Sequence, residues 1–314
     1  MSFAFVFPGQ GSQAVGMMSA YTANEKDAAI ARAVFAEASD ALGEDLWQMV
    51  ESGDAETLAQ TVNTQPVMLT AGVAVWRLWQ AKGGKNPVCL AGHSLGEYSA
   101  LVAAGALSFA DAVPLVRLRA AAMQEAVPLG TGGMAAIMGL EDAVIHVACA
   151  AAGAEVNGVA EAVNFNAAGQ TVIAGHKVAV ERAMALCREQ GAKRAVALPV
   201  SAPFHSSLMR PAAEKLAVAL EKIEFRPPAI PVINNVDVAV ESAPGKIRDA
   251  LVRQAYQPVR WVEIIRRMAG EGCGQIVECG PGKVLAGLAK RCAEGVTGIP
   301  LADAAALEAN LNLE

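Results

Sequence analysis

The stretch Val88-Cys-Leu-Ala91, Gly92-His-Ser-Leu-Gly96, Glu97-Tyr-Ser-Ala-Leu101 decides how the chain is read. Its first four residues are apolar and strand-like, the next five match G-x-S-x-G, and an Ala-rich helical pattern follows through Gly105. Glycines on both sides of the serine remove side chains from a sharp strand-to-helix turn. Ser94 can then project its hydroxyl, while the Leu95 N–H points to where an oxyanion would form.

Working outward, a strand is expected at Phe3 to Phe7, and helices at about Asn24 to Leu42, Gln65 to Ala81 and Asp111 to Val127. Strands feeding helices imply a largely parallel α/β sheet. The pattern changes after Pro128-Leu-Gly-Thr-Gly-Gly133, a loop-rich joint. Met134 to Met138 reads as a strand, Asp142 to Ala152 as a helix, and Ala162 to Phe165 and Thr171 to Ala174 as strands. Lys177 to Gln190 reads as a helix and Lys193 to Val200 as a strand. That order, βαββαβ, is the split motif of ferredoxin-like units. Alternation resumes with a helix at 207–223, a strand at 230–236, helices at 246–255 and 259–270, and a strand at Gln275 to Glu278. The expected fold class is therefore α/β: a large α/β-hydrolase-like domain with a parallel sheet, discontinuous over 1–130 and 199–314, and a small ferredoxin-like subdomain inserted at 131–198.

Composition agrees with that size. A chain of 314 residues, 54% hydrophobic and 18% charged, has room for roughly two units of about 150 residues. With 25 Lys and Arg against 31 Asp and Glu, the net charge of −6 gives no overall attraction to nucleic acid. Cysteines at 89, 149, 187, 273, 279 and 292 are too irregularly spaced for a disulfide framework or zinc knuckles, and read as reduced, buried thiols. The first residues show no cationic n-region and meet Pro8-Gly9 before an apolar h-region develops, so export is not expected. Apolar runs stop well short of the roughly 20 residues that a membrane span needs. The expectation is a cytoplasmic protein with neither nucleic-acid nor membrane partners.

A serine nucleophile needs a base, and there are four histidines: His93, His146, His176 and His205. His93 adjoins the serine on a turn whose neighbouring side chains diverge, and is expected to pack beneath it. His146 and His176 fall within the insert. His205 lies in Ser201-Ala-Pro-Phe-His-Ser206, a loop where the chain re-enters the large unit, and is the candidate base. No Asp or Glu between Ser94 and His205 sits convincingly on a post-strand loop. Either a backbone carbonyl or amide orients the histidine, or tertiary structure supplies an acid. The early run Phe7-Pro-Gly-Gln-Gly-Ser-Gln-Ala14 resembles a dinucleotide loop, but Pro8 interrupts the turn and no acidic strand end follows. It reads better as a glycine loop presenting a backbone N–H, such as that of Gln10, towards Ser94. Arg117 and Arg119, two positions apart on an apolar helix, occupy different faces, so one of them should point inward.

Taken together, Phe5-Val-Phe-Pro-Gly-Gln-Gly-Ser-Gln13, Gly92 to Leu101, Met123-Gln-Glu-Ala-Val-Pro128, Asn164-Phe-Asn166, Pro203-Phe-His-Ser206 and Glu278-Cys-Gly-Pro-Gly282 resemble the malonyl-CoA:acyl carrier protein transacylase family of bacterial type II fatty acid synthesis, in order from residue 3 to about 292. The resemblance implies Ser94 as nucleophile, His205 as base, and the Gln10 and Leu95 N–H groups as oxyanion donors. It also implies that a carbonyl oxygen near Gln254 orients the histidine, and that Arg119 holds the malonyl carboxylate, a task for which a guanidinium fork suits better than lysine. Phe204 before His205 matches the form that accompanies malonyl choice in polyketide acyltransferases.

The implied partners are malonyl-CoA and acyl carrier protein, in a ping-pong acyl transfer by a monomer that uses no metal or redox cofactor. A serine hydrolase would use the same turn but let water attack the ester; Arg119 and the lack of a third acid argue against it. A catalytically silent carrier-docking module would have no need of both Ser94 and His205.

Overall fold

The computed structural model describes residues 2–200 and 202–313; Ser201, at the head of the loop expected to carry the base, lies outside them. The chain begins with β1 (Ser2–Phe7), then α1 (Glu25–Leu42), α2 (Leu46–Ser52), α3 (Ala55–Ala59) and α4 (Thr61–Ala81). Next come β2 (Leu90–Gly92), α5 (Gly96–Ala103) and α6 (Phe109–Glu125). A second run comprises β3 (Gly132–Met138), α7 (Asp142–Val156), β4 (Ala160–Ala167), β5 (Gln170–His176), α8 (Lys177–Glu189) and β6 (Arg194–Ala197). The chain ends with α9 (Arg210–Leu220), β7 (Val232–Ile233), α10 (Pro244–Gln254), α11 (Trp261–Gly270), β8 (Cys273–Glu278), α12 (Val284–Cys292), β9 (Thr297–Pro300) and α13 (Ala304–Ala309).

Five strands form a parallel sheet in the order β7-β2-β1-β8-β9. Alternation along β1 explains why it lies at the centre. Phe3, Phe5 and Phe7 enter the core shared with α1, α4 and α6, while Ala4 and Val6 face the core under α11 and α12. The Phe5 ring meets Trp76 and Trp79 edge-on, with centroids 5.7 and 5.0 Å apart. Each such buried aromatic brings large apolar area, with about 0.5–1.5 kcal/mol beyond it for the edge-to-face pair.

The second sheet is antiparallel in the order β4-β5-β3-β6, the arrangement of a βαββαβ split motif. On β3, Ala135 and Ile137 pack under α7 and α8, whereas Met134 and Ala136 turn the other way, to a cluster that includes Val163, Leu198, Val200 and Phe204. That inner face roofs the site described below. The Phe165 N–H donates to the Val259 carbonyl at 3.0 Å and the Val259 N–H to the Val163 carbonyl at 2.9 Å, tying β4 to the chain ahead of α11.

Several bounds differ from the sequence reading. β6 stops at Ala197 because Pro199 lacks the N–H that a continued ladder needs. β7 is two residues long, cut off by Pro231 and by a turn at Asn234-Asn235. The helix expected from 207 opens as a 3₁₀ turn, Ser207–Met209, and becomes α-helical at Arg210 with Pro211 in its first turn, where a missing N–H costs nothing. α4 begins four residues earlier than expected, with Pro66 inside it.

Candidate active site

The C-terminal ends of the parallel strands converge on one cavity of about 130 Å³, the place where open α/β sheets bind ligands. β1 delivers Gln10, β2 delivers Ser94, and the loop after β7 delivers Asn235. Ser94 sits at φ 52°, in the left-handed region, a strained conformation of a kind concentrated at functional sites. Two glycines make it possible. A Cβ on Gly92 would overlap the Gly96 carbonyl group, and one on Gly96 would overlap the carbonyl of Phe7. Asn235 clamps the turn: its Oδ1 accepts the Ser94 N–H at 2.8 Å and its Nδ2 donates to the Gly92 carbonyl at 2.7 Å.

Ser94 Oγ lies 2.7 Å from His205 Nε2, and His205 Nδ1 lies 2.8 Å from the main-chain oxygen of Gln254. A carbonyl can only accept, so Nδ1 carries the proton and Nε2 is the acceptor facing the serine. A main-chain carbonyl therefore stands where a triad would place its acid. Burial, and after it the nearby charge of Arg119, push the imidazole down to about 3, so the free site holds a neutral base across the physiological range.

Of the two arginines on α6, Arg119 points inward and is 2% exposed, while Arg117 forms an outer ion pair with Glu44 at 2.7 Å. Arg119 Nη1 donates to Gln65 Oε1 at 2.8 Å, and Nη2 to Gln254 Oε1 at 3.0 Å and to Ser94 Oγ at 3.1 Å. Its guanidinium also lies 5.4 Å from the centre of the Tyr98 ring. These three acceptors are neutral, and its Nε is buried without a hydrogen-bond partner among the described residues. A buried cation with a donor to spare beside a serine hydroxyl is equipped to receive an anionic group.

Each predicted site residue lies in or against this cavity. Gln10, Ser94, Leu95, Arg119 and His205 line it, and Gln254 closes it from behind. Met123, Met134, Leu198, Val200 and Phe204 supply its apolar wall. Of the other histidines, His93 also lines the cavity but its Nε2 meets Asn166 Oδ1 at 2.8 Å, His176 Nδ1 accepts the Val159 N–H at 3.0 Å, and His146 is exposed on α7. Sequence reasoning missed Gln65, Asn235 and Glu97. Glu97, three residues after the serine and 2% exposed, accepts the Asn235 N–H and Gln254 Nε2, each at 2.9 Å. A lone acid in an Ala-rich helix was the available signal. Among the described residues no three His, Cys, Asp or Glu side chains gather as a metal site requires, and no helix is long and apolar enough to cross a membrane.

A strained serine on a strand-to-helix turn, hydrogen-bonded to a neutral buried histidine, is the apparatus of covalent acyl transfer. Residues 4–307 match the family model described as acyl transferase domain, and the chain belongs to that family. Within it, a malonyl CoA-acyl carrier protein transacylase of Salmonella typhimurium is 58% identical over 309 residues, covering 98% of each chain. An acyl-carrier-protein S-malonyltransferase structure from Burkholderia pseudomallei superposes with a TM-score of 0.96 at 56% identity, and covers 100% of both chains. A structure of a type II PKS acyl-carrier protein in complex with its malonyl-transacylase matches at TM-score 0.96 and 51% identity, again over 100% of both.

Proposed function

We propose that this chain transfers the malonyl group of malonyl-CoA to the phosphopantetheine thiol of acyl carrier protein, supplying the extender for fatty acid synthesis. The observation that carries the reading is the joint approach of His205 Nε2 and Arg119 Nη2 to Ser94 Oγ, at 2.7 and 3.1 Å, in a chain of the acyl transferase family. Nucleophile, base and a cation for the acyl carboxylate then share one cavity.

In the proposed reaction His205 Nε2 takes the Ser94 proton as Oγ attacks the thioester carbonyl, and the Gln10 and Leu95 N–H groups hold the oxyanion. Collapse breaks the C–S bond, and the departing coenzyme A sulfur takes the proton from His205. The carrier thiol then gives its proton to His205 and attacks the malonyl-serine ester; the proton returns to Ser94 Oγ as the acyl group leaves. The malonyl carboxylate pairs with Arg119 throughout. No oxidation state changes in this cycle, so it calls on no redox cofactor, and nucleophile, base and oxyanion donors are all supplied by the chain's own groups. The sheet arrangement supports a division into a discontinuous α/β domain, 1–130 with 199–314, and a ferredoxin-like subdomain, 131–198, and the setting of the reaction is the cytoplasm.

Mass spectrometry of the intact protein after incubation with malonyl-CoA, without a thiol acceptor, tests the reading. One malonyl group should be retained on Ser94 and be absent from Ser94→Ala. Rapid release of free malonate with no adduct would instead assign the site to hydrolysis.

A further inference from the structure

The residue that the reaction above leaves unused is Glu97. It is a buried carboxylate, and among the described residues no cation lies within ion-pair distance of it. Its Oε2 accepts from the Asn235 N–H and from Gln254 Nε2. The same Nε2 donates to the Ser94 carbonyl at 2.9 Å, which leaves Gln254 Oε1 facing Arg119 Nη2 at 3.0 Å. The amide cannot be reversed, because a flip would set its NH₂ against the guanidinium and its oxygen against both the carboxylate and the Ser94 carbonyl. Negative carboxylate, oriented amide and positive guanidinium therefore stand in a row, and the main-chain oxygen of the same Gln254 holds His205.

We infer that Glu97 is a positioning residue that sets the selectivity for an acyl group ending in a carboxylate: in the free enzyme it is the negative charge that answers Arg119 through the Gln254 amide, and it competes with the incoming carboxylate for that cation. This rests on the malonyl-transfer reading and deepens it. One buried cation facing two carboxylates leaves an uncompensated negative charge, and taking up a proton at Glu97 removes it. Ionised, Glu97 answers Arg119 through the Gln254 amide; neutral, it leaves that cation to the malonyl carboxylate. Burial, opposed by the hydrogen bonds from Gln254 and Asn235, lifts this carboxyl to about 7, where that exchange of one proton is available.

The surroundings leave the assignment to Glu97 alone. Arg119 on α6 and Tyr98 beside it face the carboxyl, with the Tyr98 hydroxyl pushed up to about 12 by burial. Asp237 after β7 is held low by its pair with Arg253, which also grips Asp249 on α10. His205 beyond Gln254 is held at about 3 and His93 is lowered by burial. Of the elements packed on α5, strands β1, β2 and β7 carry no titratable side chain, and Arg77 of α4 is paired with Glu37.

The test is the ratio of kcat/KM for malonyl-CoA to that for acetyl-CoA in loading Ser94, followed from about pH 6 to about pH 8.5. The coenzyme A phosphates titrate alike in both substrates and cancel in the ratio. In the unaltered protein the ratio should fall as pH rises through the region of 7, by about tenfold, as a like charge a few ångströms beyond the cation comes to oppose the substrate. Glu97→Gln, nearly the same shape but never charged, should hold the ratio flat at its low-pH level. It should therefore prefer malonyl-CoA more strongly than the parent above neutrality. A flat ratio in the unaltered protein, or the parental slope persisting in Glu97→Gln, overturns the inference; a purely structural Glu97 would lower both substrates together and leave the slope in place. Should Glu97→Gln fail to fold, the slope of the unaltered protein decides alone. Failure to load malonyl at all would refute the transferase reading itself, a result distinct from a flat ratio.

Discussion

Replacing Arg119 by alanine separates substrate recognition from the rest of the site, because its guanidinium touches the nucleophile, the Gln254 amide and Gln65 at once. Truncation leaves two buried amide oxygens without their donor, a penalty common to every acyl substrate. What differs between substrates is the charge-assisted pair to the malonyl carboxylate, worth roughly 1.5–3 kcal/mol. That converts to a loss in kcat/KM of about tenfold to a hundredfold specific to malonyl-CoA. Acetyl-CoA, with no carboxylate, should lose less or gain. A second consequence concerns the base. After burial, the charge of Arg119 is the next largest cause of the low His205 value, so its removal should raise the imidazole part of the way back towards its ordinary range. Since the base works only when unprotonated, the acid limb of the acetyl-transfer profile should move up in pH. The assay is single-turnover loading of Ser94 from each thioester across pH, read by intact mass. Equal losses for both thioesters with an unmoved acid limb would refute the reasoning and leave Arg119 as a structural residue.

Asn235→Ala should destabilise the protein by about 2–6 kcal/mol, since it strands the part-buried Ser94 N–H and the buried Gly92 carbonyl at roughly 1–3 kcal/mol each; an unchanged denaturation midpoint would contradict the clamp. Charge reversal at Lys193 and Arg194, exposed where β6 sets out towards Leu198 and Val200 in the cavity wall, should raise KM for acyl carrier protein and reduce its salt dependence while leaving loading from malonyl-CoA nearly unchanged. Unaltered carrier kinetics at low salt would remove this docking face. The helix beginning at Val284 is a weaker candidate, because Arg291 is already held by Gln170 Oε1 at 2.6 Å.

How much of this was legible follows from the range of the forces involved. β1, the turn at Ser94 and the βαββαβ run were readable because alternation, helical periodicity and glycine placement are local signals. α2 and α3 were missed, although each has an Asp cap: Asp45 accepts from the Gln48 N–H and Asp54 from the Thr57 N–H. At seven and five residues they are too short to show a period. β9 escaped for the opposite reason, as a four-residue edge strand with little apolar alternation. In the site, four histidines made His205 a tractable choice, but what orients it is a main-chain oxygen, which every residue possesses and no side-chain pattern encodes. Glu97 was overlooked because its meaning depends on Asn235 and Gln254, 138 and 157 residues away.

The use of a carbonyl rather than an acid behind His205 has a reason in the same electrostatics. An aspartate at hydrogen-bond distance from Nδ1 would lie close to Arg119 in a buried space, where an ion pair is far stronger than at the surface. It would raise the basicity of the histidine, but it would also satisfy the cation permanently, and a substrate carboxylate would then meet a neutral pair instead of a positive charge. A neutral carbonyl orients the ring and fixes its tautomer while leaving the charge of Arg119 for the substrate. The cost is a base held low by burial and by that cation, and in the proposed reaction the substrate itself offsets it. A carboxylate bound to Arg119 cancels the charge that depresses His205, so the imidazole gains basicity when the acyl group that needs it has arrived. Glu97, one amide removed, is near enough to keep Arg119 compensated in the empty site and far enough to yield. The two negative charges that a carboxylate-selective transferase must reconcile, its own and its substrate's, are thus kept on opposite sides of a single glutamine.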